Sequence, residues 1–457
     1  MSQSLITAVL LLAVLAFPES HGQSCRAGWF GQGCMYKCHC VLSPDCRYDD
    51  GTCPRNESCA HGFFGPGCQY ADLAQTHSSS DIPNYLNDRT DRTCYPGSFT
   101  RITYLSMKQI VHGAWFRLAV SDPQRLLKFT LRINTYYSCT DEVRHVVAPT
   151  VVDVVCSSGF MIRDLTITGP ATEKLCTINI SGGRNIALKQ FANQSTTYDT
   201  LSEAGNAVDG NTDSNFYHGS CARTNSGLRP RWSLHFLLPT MLLRAVLTNS
   251  DTNTLQEFTL EVYSGQDVIY SYTNPYYRRS QPTFEVSLMS VKPVTRLDIL
   301  GTAGYPQRMN ALQFCEIEVY GDYLCDGKYG LSCEKQCYCR RIEVCSQNHG
   351  VCTPTCPPGR FGERCDRSCS TSCLESLCEP QSGICFSCTG YPYEGEFCMA
   401  ASEMRTEESG QMYLWALVPL ALVMLVSPVA LYLCLHRKKS TRQPSEVARV
   451  SATAMPA

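Results

Sequence analysis

Apolar and polar residues alternate with a period of two through much of residues 183–321. The clearest runs are Phe258-Leu260-Val262, Phe284-Val286-Leu288, Leu297-Ile299 and Phe314-Ile317-Val319. A period of two puts these side chains on one face of a pleated strand. Clusters of Pro, Gly, Asn and Ser separate the runs, as turns require. No stretch keeps a helical period for any length. The pattern predicts an all-β chain built around an antiparallel jelly-roll β-sandwich.

Two apolar runs break the alternation. Leu5 to Phe17 is 13 residues long, too short to span a bilayer, and Pro18, Ser20 and Gly22 follow it. That anatomy predicts a signal peptide over residues 1–22. Met412 to Leu435 is 24 residues without a charge, enough to cross ~30 Å of hydrocarbon with some tilt. Tyr413, Trp415 and Tyr432 stand at its edges, where amphipathic rings favour the interface. Arg437, Lys438, Lys439 and Arg442 follow it, while Glu403, Glu407 and Glu408 precede it. The cationic flank stays cytoplasmic. The expectation is a single-pass type I protein of the plasma membrane with an extracellular ectodomain. Residues 399–411 form its stalk, 412–435 its transmembrane helix and 436–457 a cytoplasmic tail without tyrosine.

Cysteine count then fixes the redox compartment. Of 29 cysteines, Cys434 lies in the expected membrane helix, and the other 28 fall into even blocks: eight in 25–68, four in 94–176, two at 221 and 315, eight in 325–365 and six in 369–398. Parity in every block predicts that each domain closes its own disulfides in an oxidising compartment. A net charge of -2 with 18% charged residues shows no bias toward nucleic acid. Zinc at Cys38-His39-Cys40 is disfavoured by the spacing and by oxidation outside the cell.

The Cys-rich ends repeat. Residues 38–68 run C-x1-C-x5-C-x6-C-x5-C-x8-C, residues 337–365 run C-x1-C-x5-C-x6-C-x3-C-x8-C, and residues 369–398 run C-x3-C-x4-C-x6-C-x2-C-x9-C. Half-repeats Cys25–Cys34 and Cys325–Cys333 precede the first two, and closing segments recur as AGWFGQGC, HGFFGPGC and PGRFGERC. These blocks resemble EGF-like modules of the laminin or multiple-EGF type. The resemblance implies modules at 25–70, 325–365 and 369–398, paired one–three, two–four and five–six. In the first module it implies Cys38–Cys46, Cys40–Cys53 and Cys59–Cys68. Modules with so few apolar residues need such staples, and they are expected to act as spacers.

In the middle, NIALKQFANQSTTY, NAVDGNTDSNFYHGSC, RWSLHF, LTN and LQFCEIEVYG follow in order over residues 183–321. Together they resemble an F-type lectin (fucolectin) domain, whose fold is a galactose-binding-like β-sandwich. The resemblance implies a disulfide between Cys221 and Cys315. It also implies one structural Ca²⁺ held by Asn206, Asp209, Asn211, Ser220, the Cys315 carbonyl and Glu316. The chemistry agrees, because Ca²⁺ takes six to eight oxygens from carboxylates and carbonyls. Asp213 and His218 fall outside that set and are expected to be structural.

The sugar-site positions of the family are degenerate here. Arg223 stands where the family has His, Ser250 where it has one Arg, Thr252 where it has Asp, and Glu257 near the second Arg. Cationic donors grip sugar hydroxyls with about 1.5–3 kcal/mol each, so the usual fucose recognition is expected to be lost or altered.

Residues 82–182 look like a degenerate copy of the same sandwich. LNDRTDRTCY and LCTINISGG echo the loop and the last strand, implying Cys94–Cys176, with Cys139–Cys156 bracing an added hairpin. Thr177 replaces the ligand Glu, so no ion is expected there. Residues 71–81 are expected to be a polar linker. Asn56, Asn179 and Asn193 head N-x-S sequons and are expected to carry glycans.

No nucleophile–base pair, phosphate loop or catalytic metal spacing appears, so no enzyme is expected. The expected role is a cell-surface recognition or adhesion receptor whose partner is a glycan or glycoprotein on a cell or microbial surface. The alternative is a structural cell–cell or cell–matrix adhesion protein that binds protein partners and no sugar.

Overall fold

A computed structural model of the chain describes residues 25–43, 45–79, 83, 86, 88, 91–96, 102–134, 137–139, 142–251, 255, 257–274, 281–288, 290, 292–301, 310–339, 345–352, 356–389, 393–394 and 398–400. The expected signal peptide, transmembrane helix, cytoplasmic tail and most of the stalk lie outside the described residues. Among the described residues no helix is long and apolar enough to cross a membrane. The chain divides into two compact units, residues 1–356 with 363–365, and residues 357–362 with 366–457.

The first unit contains two β-sandwiches with separate cores. In the second sandwich the alternation lies where the sequence puts it. Phe258, Leu260 and Val262 are buried while Thr259 and Glu261 face outward, and Phe284 and Val286 alternate with exposed neighbours. The long strand Arg231–Asn249 serves both layers. Its first half pairs with Phe191–Gln194 and Val294–Gly301, its second half with Thr283–Ser287 and Gln313–Tyr323. The register breaks between His235 and Thr240, around Pro239, where the missing N–H suits a bend. Trp232 meets Phe314 edge-on at 5.2 Å, and Phe258 meets Phe284 at 5.3 Å, so aromatic pairs fill the space between layers.

The first sandwich is built on Ile102–Val120 paired with Val151–Thr168. Bulges between Ser106 and Val111, and between Gly113 and Trp115, bend this pair. Phe116, Leu118, Val152, Val154, Leu165 and Ile167 lie in its core. The described disulfides here are Cys94–Cys176 and Cys139–Cys156.

One strand, Leu175–Asn185, belongs to both sandwiches. Leu175 to Ser181 pair with Ile102–Val120, and Arg184 and Asn185 pair with Gly321 and Tyr320. The sequence places a domain boundary between residues 182 and 183, but the backbone runs through it as strand. Gly183 makes this crossing feasible: its φ is +81°, and a Cβ there would lie 2.6 Å from the Gly321 nitrogen.

The N-terminal Cys-rich module is pinned by Cys25–Cys34, Cys38–Cys46, Cys40–Cys53 and Cys59–Cys68. Its last strand, Tyr70–Asp72, adds to Leu175–Asn185. The expected linker at 71–81 is thus partly core. Asp72 is buried and caps the short helix Leu73–His77, accepting from the Ala74 N–H at 3.0 Å. It also accepts from the Asn179 side chain at 2.8 Å and the Ile180 N–H at 3.2 Å. Burial pushes the Asp72 carboxyl up to about 6 against the pull of these donors.

Two expectations are corrected here. The first module is no spacer, because it packs into the head. Asn179 is 5% exposed and bonded to Asp72, so the folded chain leaves no room for a glycan on it. Asn193 lies exposed on Phe191–Gln194, and the Asn56 side chain lies outside the described residues. If the chain is exposed to the glycosylation machinery, glycopeptide mapping is expected to find a glycan on Asn193 and none on Asn179 of the folded chain.

The second Cys-rich module closes Cys325–Cys333, Cys337–Cys345, Cys339–Cys352 and Cys356–Cys365. The second unit carries Cys369–Cys378, Cys373–Cys385 and Cys388–Cys398, with Phe361 packed on its cysteines.

Candidate functional site

The candidate site is an Asx-rich loop facing the last strand of the second sandwich. A 3-10 turn, Ala204–Val208, delivers Asp209 and the left-handed Gly210. From there every second side chain braces the backbone ahead of it. Asp209 accepts from the Asn211 N–H at 2.8 Å, Asn211 from Asp213 at 3.1 Å, Asp213 from Asn215 at 3.0 Å and Asn215 from Tyr217 at 3.0 Å. Short polar side chains that bond two residues ahead hold the loop without regular structure. Asp213 also bonds the His218 ring at 2.7 Å on the exposed outer side.

Cys221–Cys315 ties this loop to Gln313–Tyr323. Thr248 pairs with Glu316 and Asn249 with Phe314, so Cys315 is the extra residue of a bulge. A bulge re-aims the groups beside it. The first sandwich repeats the device: Val120 pairs with Leu175 and Ala119 with Thr177, leaving Cys176 as the extra residue. There the next position is buried Thr177, which offers no carboxylate.

Glu316 is the unusual group. It is 1% exposed. Its Oε1 accepts from the Gly210 N–H at 3.2 Å, and its Oε2 is buried without a hydrogen-bond partner. Burial, and then the Asp209 carboxylate, push its acid up to about 10. Burial also raises Asp209. A buried carboxyl with an orphan oxygen, beside the exposed carboxylate of Asp209, is costly unless a partner satisfies it.

Asn206 and Ser220, two other expected ligands, bond to backbone carbonyls of the same region. Asn206 donates to the Leu201, Gly219 and Cys221 carbonyls at 2.7, 3.1 and 3.3 Å. The Ser220 hydroxyl donates to the Asp213 carbonyl at 2.6 Å and to the Asn215 carbonyl at 3.2 Å. The donor set is all oxygen with two carboxylates, which fits a hard divalent cation.

The degenerate sugar positions separate. Arg223 is half-buried, its guanidinium 3.9 Å from the Tyr198 ring centroid and 5.2 Å from that of Phe216. Its Nε is buried without a partner. Ser250 is 1% exposed and accepts from the Gln313 side chain at 2.8 Å, so it is part of the interior. Glu257 is partly exposed, and Thr252 lies outside the described residues.

Sequence reasoning missed the aromatic clamp on Arg223. It also missed the groups that reach the loop from the N-terminal module. The aromatic signal was present in Tyr198 and Phe216, which flank the loop in sequence.

The second sandwich thus joins a disulfide-tied Asx loop to a buried glutamate on its last strand. No protein-family model matches the chain. The chain is similar to Fucolectin-6 of Anguilla japonica, 41% identical over 69 residues, 14% of this chain and 37% of the relative. It is also similar to Fucolectin of Anguilla anguilla, 39% identical over 69 residues, 14% of this chain and 44% of the relative. The matched segment thus spans less than half of those curated relatives. Among solved structures, a fucolectin from striped bass (Morone saxatilis) serum is 20% identical with a TM-score of 0.28, over 56% of this chain and 95% of that one. The lectin domain of lectinolysin complexed with Lewis B antigen is 22% identical with a TM-score of 0.27, over 30% of this chain and 96% of that one.

Proposed function

We propose that this chain is a membrane-anchored surface recognition protein whose second sandwich is a calcium-stabilised lectin-type head with an altered sugar site. The observation that carries the calcium reading is the buried, unpartnered Oε2 of Glu316 beside Asp209. Asn206, Asp209, Asn211, Ser220, the Cys315 carbonyl and Glu316 would hold the ion. It would satisfy the orphan oxygen of Glu316 and would pin the loop to the last strand. The named eel relatives are fucolectins, which supports a glycan as the ligand.

At the sugar positions Arg223 alone is placed to contribute cationic donors. Its guanidinium lies against Tyr198 and Phe216, and its donors would serve sugar hydroxyls. A glycan array with the secreted ectodomain, run in calcium and again in a chelator, tests this reading. Binding to a defined sugar is expected in calcium only, and Arg223→Ala is expected to weaken it at least tenfold. If binding proves strictly fucose-dependent with the usual family preference, the altered-site reading is wrong.

The second reading, adhesion through protein partners without sugar, is favoured by one observation: Ser250 is buried where the family has a sugar-gripping Arg. A blank array together with calcium-dependent melting supports it over the first.

A further inference from the structure

The ion loop is covered by a part of the chain that its own sandwich does not supply. Trp29 of the N-terminal module lies on the Gly210 turn; a Cβ on Gly210 would sit 3.0 Å from the indole. Lys189 stands 3.9 Å from the Trp29 ring centroid and donates to the Cys34 carbonyl at 2.5 Å. Lys37 donates from Nζ to the Gly210 carbonyl at 2.8 Å. On its other side Gly210 donates its N–H to Glu316 at 3.2 Å. One residue of the loop therefore touches a candidate ion ligand through its nitrogen and the module through its oxygen. Lys37, Gly210, Thr212, Glu316 and Glu318 share a cavity of about 40 Å³.

We propose that the N-terminal Cys-rich module is a calcium-dependent clasp, docked on the ion loop through Trp29 and Lys37, so that ion binding and docking reinforce each other. The proposal rests on the calcium reading above. Without an ion, the Glu316 Oε2 stays buried without a partner, and the turn is held by its Asx bonds, one bond to Glu316 and one from Lys37. With an ion the turn is pinned, and the Gly210 carbonyl and the face under Trp29 stay in place for the module. Linkage then requires that docking strengthen ion binding by the factor by which the ion strengthens docking.

The same module contains its own control. Its second closing turn docks on the first sandwich, where Phe64 and Tyr70 pack on Trp115 at 5.2 Å each. Thr177 takes the place of the glutamate there, so that contact owes nothing to an ion.

Hydrogen exchange on the full chain, in calcium and in a chelator, tests the clasp. Peptides covering residues 26–40 are expected to lose about tenfold protection on chelation, toward the lower end of common coupling. Peptides covering 60–72 are expected to keep theirs. Titration calorimetry should show Trp29→Ala, which removes no candidate ligand, binding calcium about tenfold more weakly. Unchanged protection of 26–40 while calorimetry records bound calcium overturns the clasp and leaves the calcium reading standing. No calcium binding in the wild-type chain overturns both. The wild-type exchange result decides the clasp even if Trp29→Ala fails to fold.

Discussion

Replacing Glu316 with Gln is expected to reverse the stability ranking of variant and wild type between chelator and calcium. In chelator the variant should melt higher, because it no longer buries a carboxylate beside Asp209 with an orphan oxygen. Relief of such a group is worth about 1–3 kcal/mol. In calcium the wild type should melt higher. An ion at a thousand times its dissociation constant stabilises by about 4 kcal/mol, or about 10 °C for a domain of this size. The variant, lacking one of two carboxylate ligands, should gain much less. Differential scanning calorimetry of both proteins in both conditions reads this directly. A variant that melts below wild type in chelator and keeps the full calcium shift rules out Glu316 as a ligand.

Arg184→Met is expected to cost about 3–5 kcal/mol, the usual result of breaking a buried ion pair from one side. Arg184 is 3% exposed and sits at the meeting point of four parts of the first unit. It bonds Asp322 at 2.8 and 3.0 Å and the Leu331 carbonyl at 2.7 Å. Its guanidinium also lies 5.3 Å from the Tyr36 ring and 5.2 Å from the Tyr323 ring. Lysine cannot reproduce this planar fork, so Arg184→Lys should recover little. The double variant Arg184→Met, Asp322→Asn should lose less than the two single costs combined, because it strands no charge. Additive losses in thermal unfolding would mean that the pair carries no coupling of its own.

What was legible in the sequence was local. Strand faces followed from a period of two, as at Phe258, Leu260 and Val262, because one side of each strand is buried. The disulfides within the Cys-rich blocks close loops of 8 to 13 residues, short enough for repeated spacing to reveal them. The Asx loop and Glu316 were found because a family resemblance joined segments about a hundred residues apart. No periodicity could have done so.

Docking of the modules was missed because it depends on contacts between distant segments. Yet a signal existed. Tyr36 and Tyr70 each stand two residues past a closing cysteine, Cys34 and Cys68, and each meets a neighbouring domain. After Cys333 and Cys365 the same position holds Lys335 and Arg367. The burial of Ser250 and Asn179 was missed for another reason: both are polar residues whose partners, Gln313 and Asp72, lie far away in sequence.

The contact between Tyr36 and Ser332 joins residues 296 positions apart. During synthesis the N-terminal module leaves the ribosome long before Ser332 exists, and at about 5–20 residues per second the wait is tens of seconds. Trp29, Tyr36 and Tyr70 must pass that interval without their final neighbours. The module's own short-range disulfides make this tolerable, since oxidation can set its shape before any partner arrives. Completion of the head is then reported at the N-terminal module, and only after the second Cys-rich module has emerged.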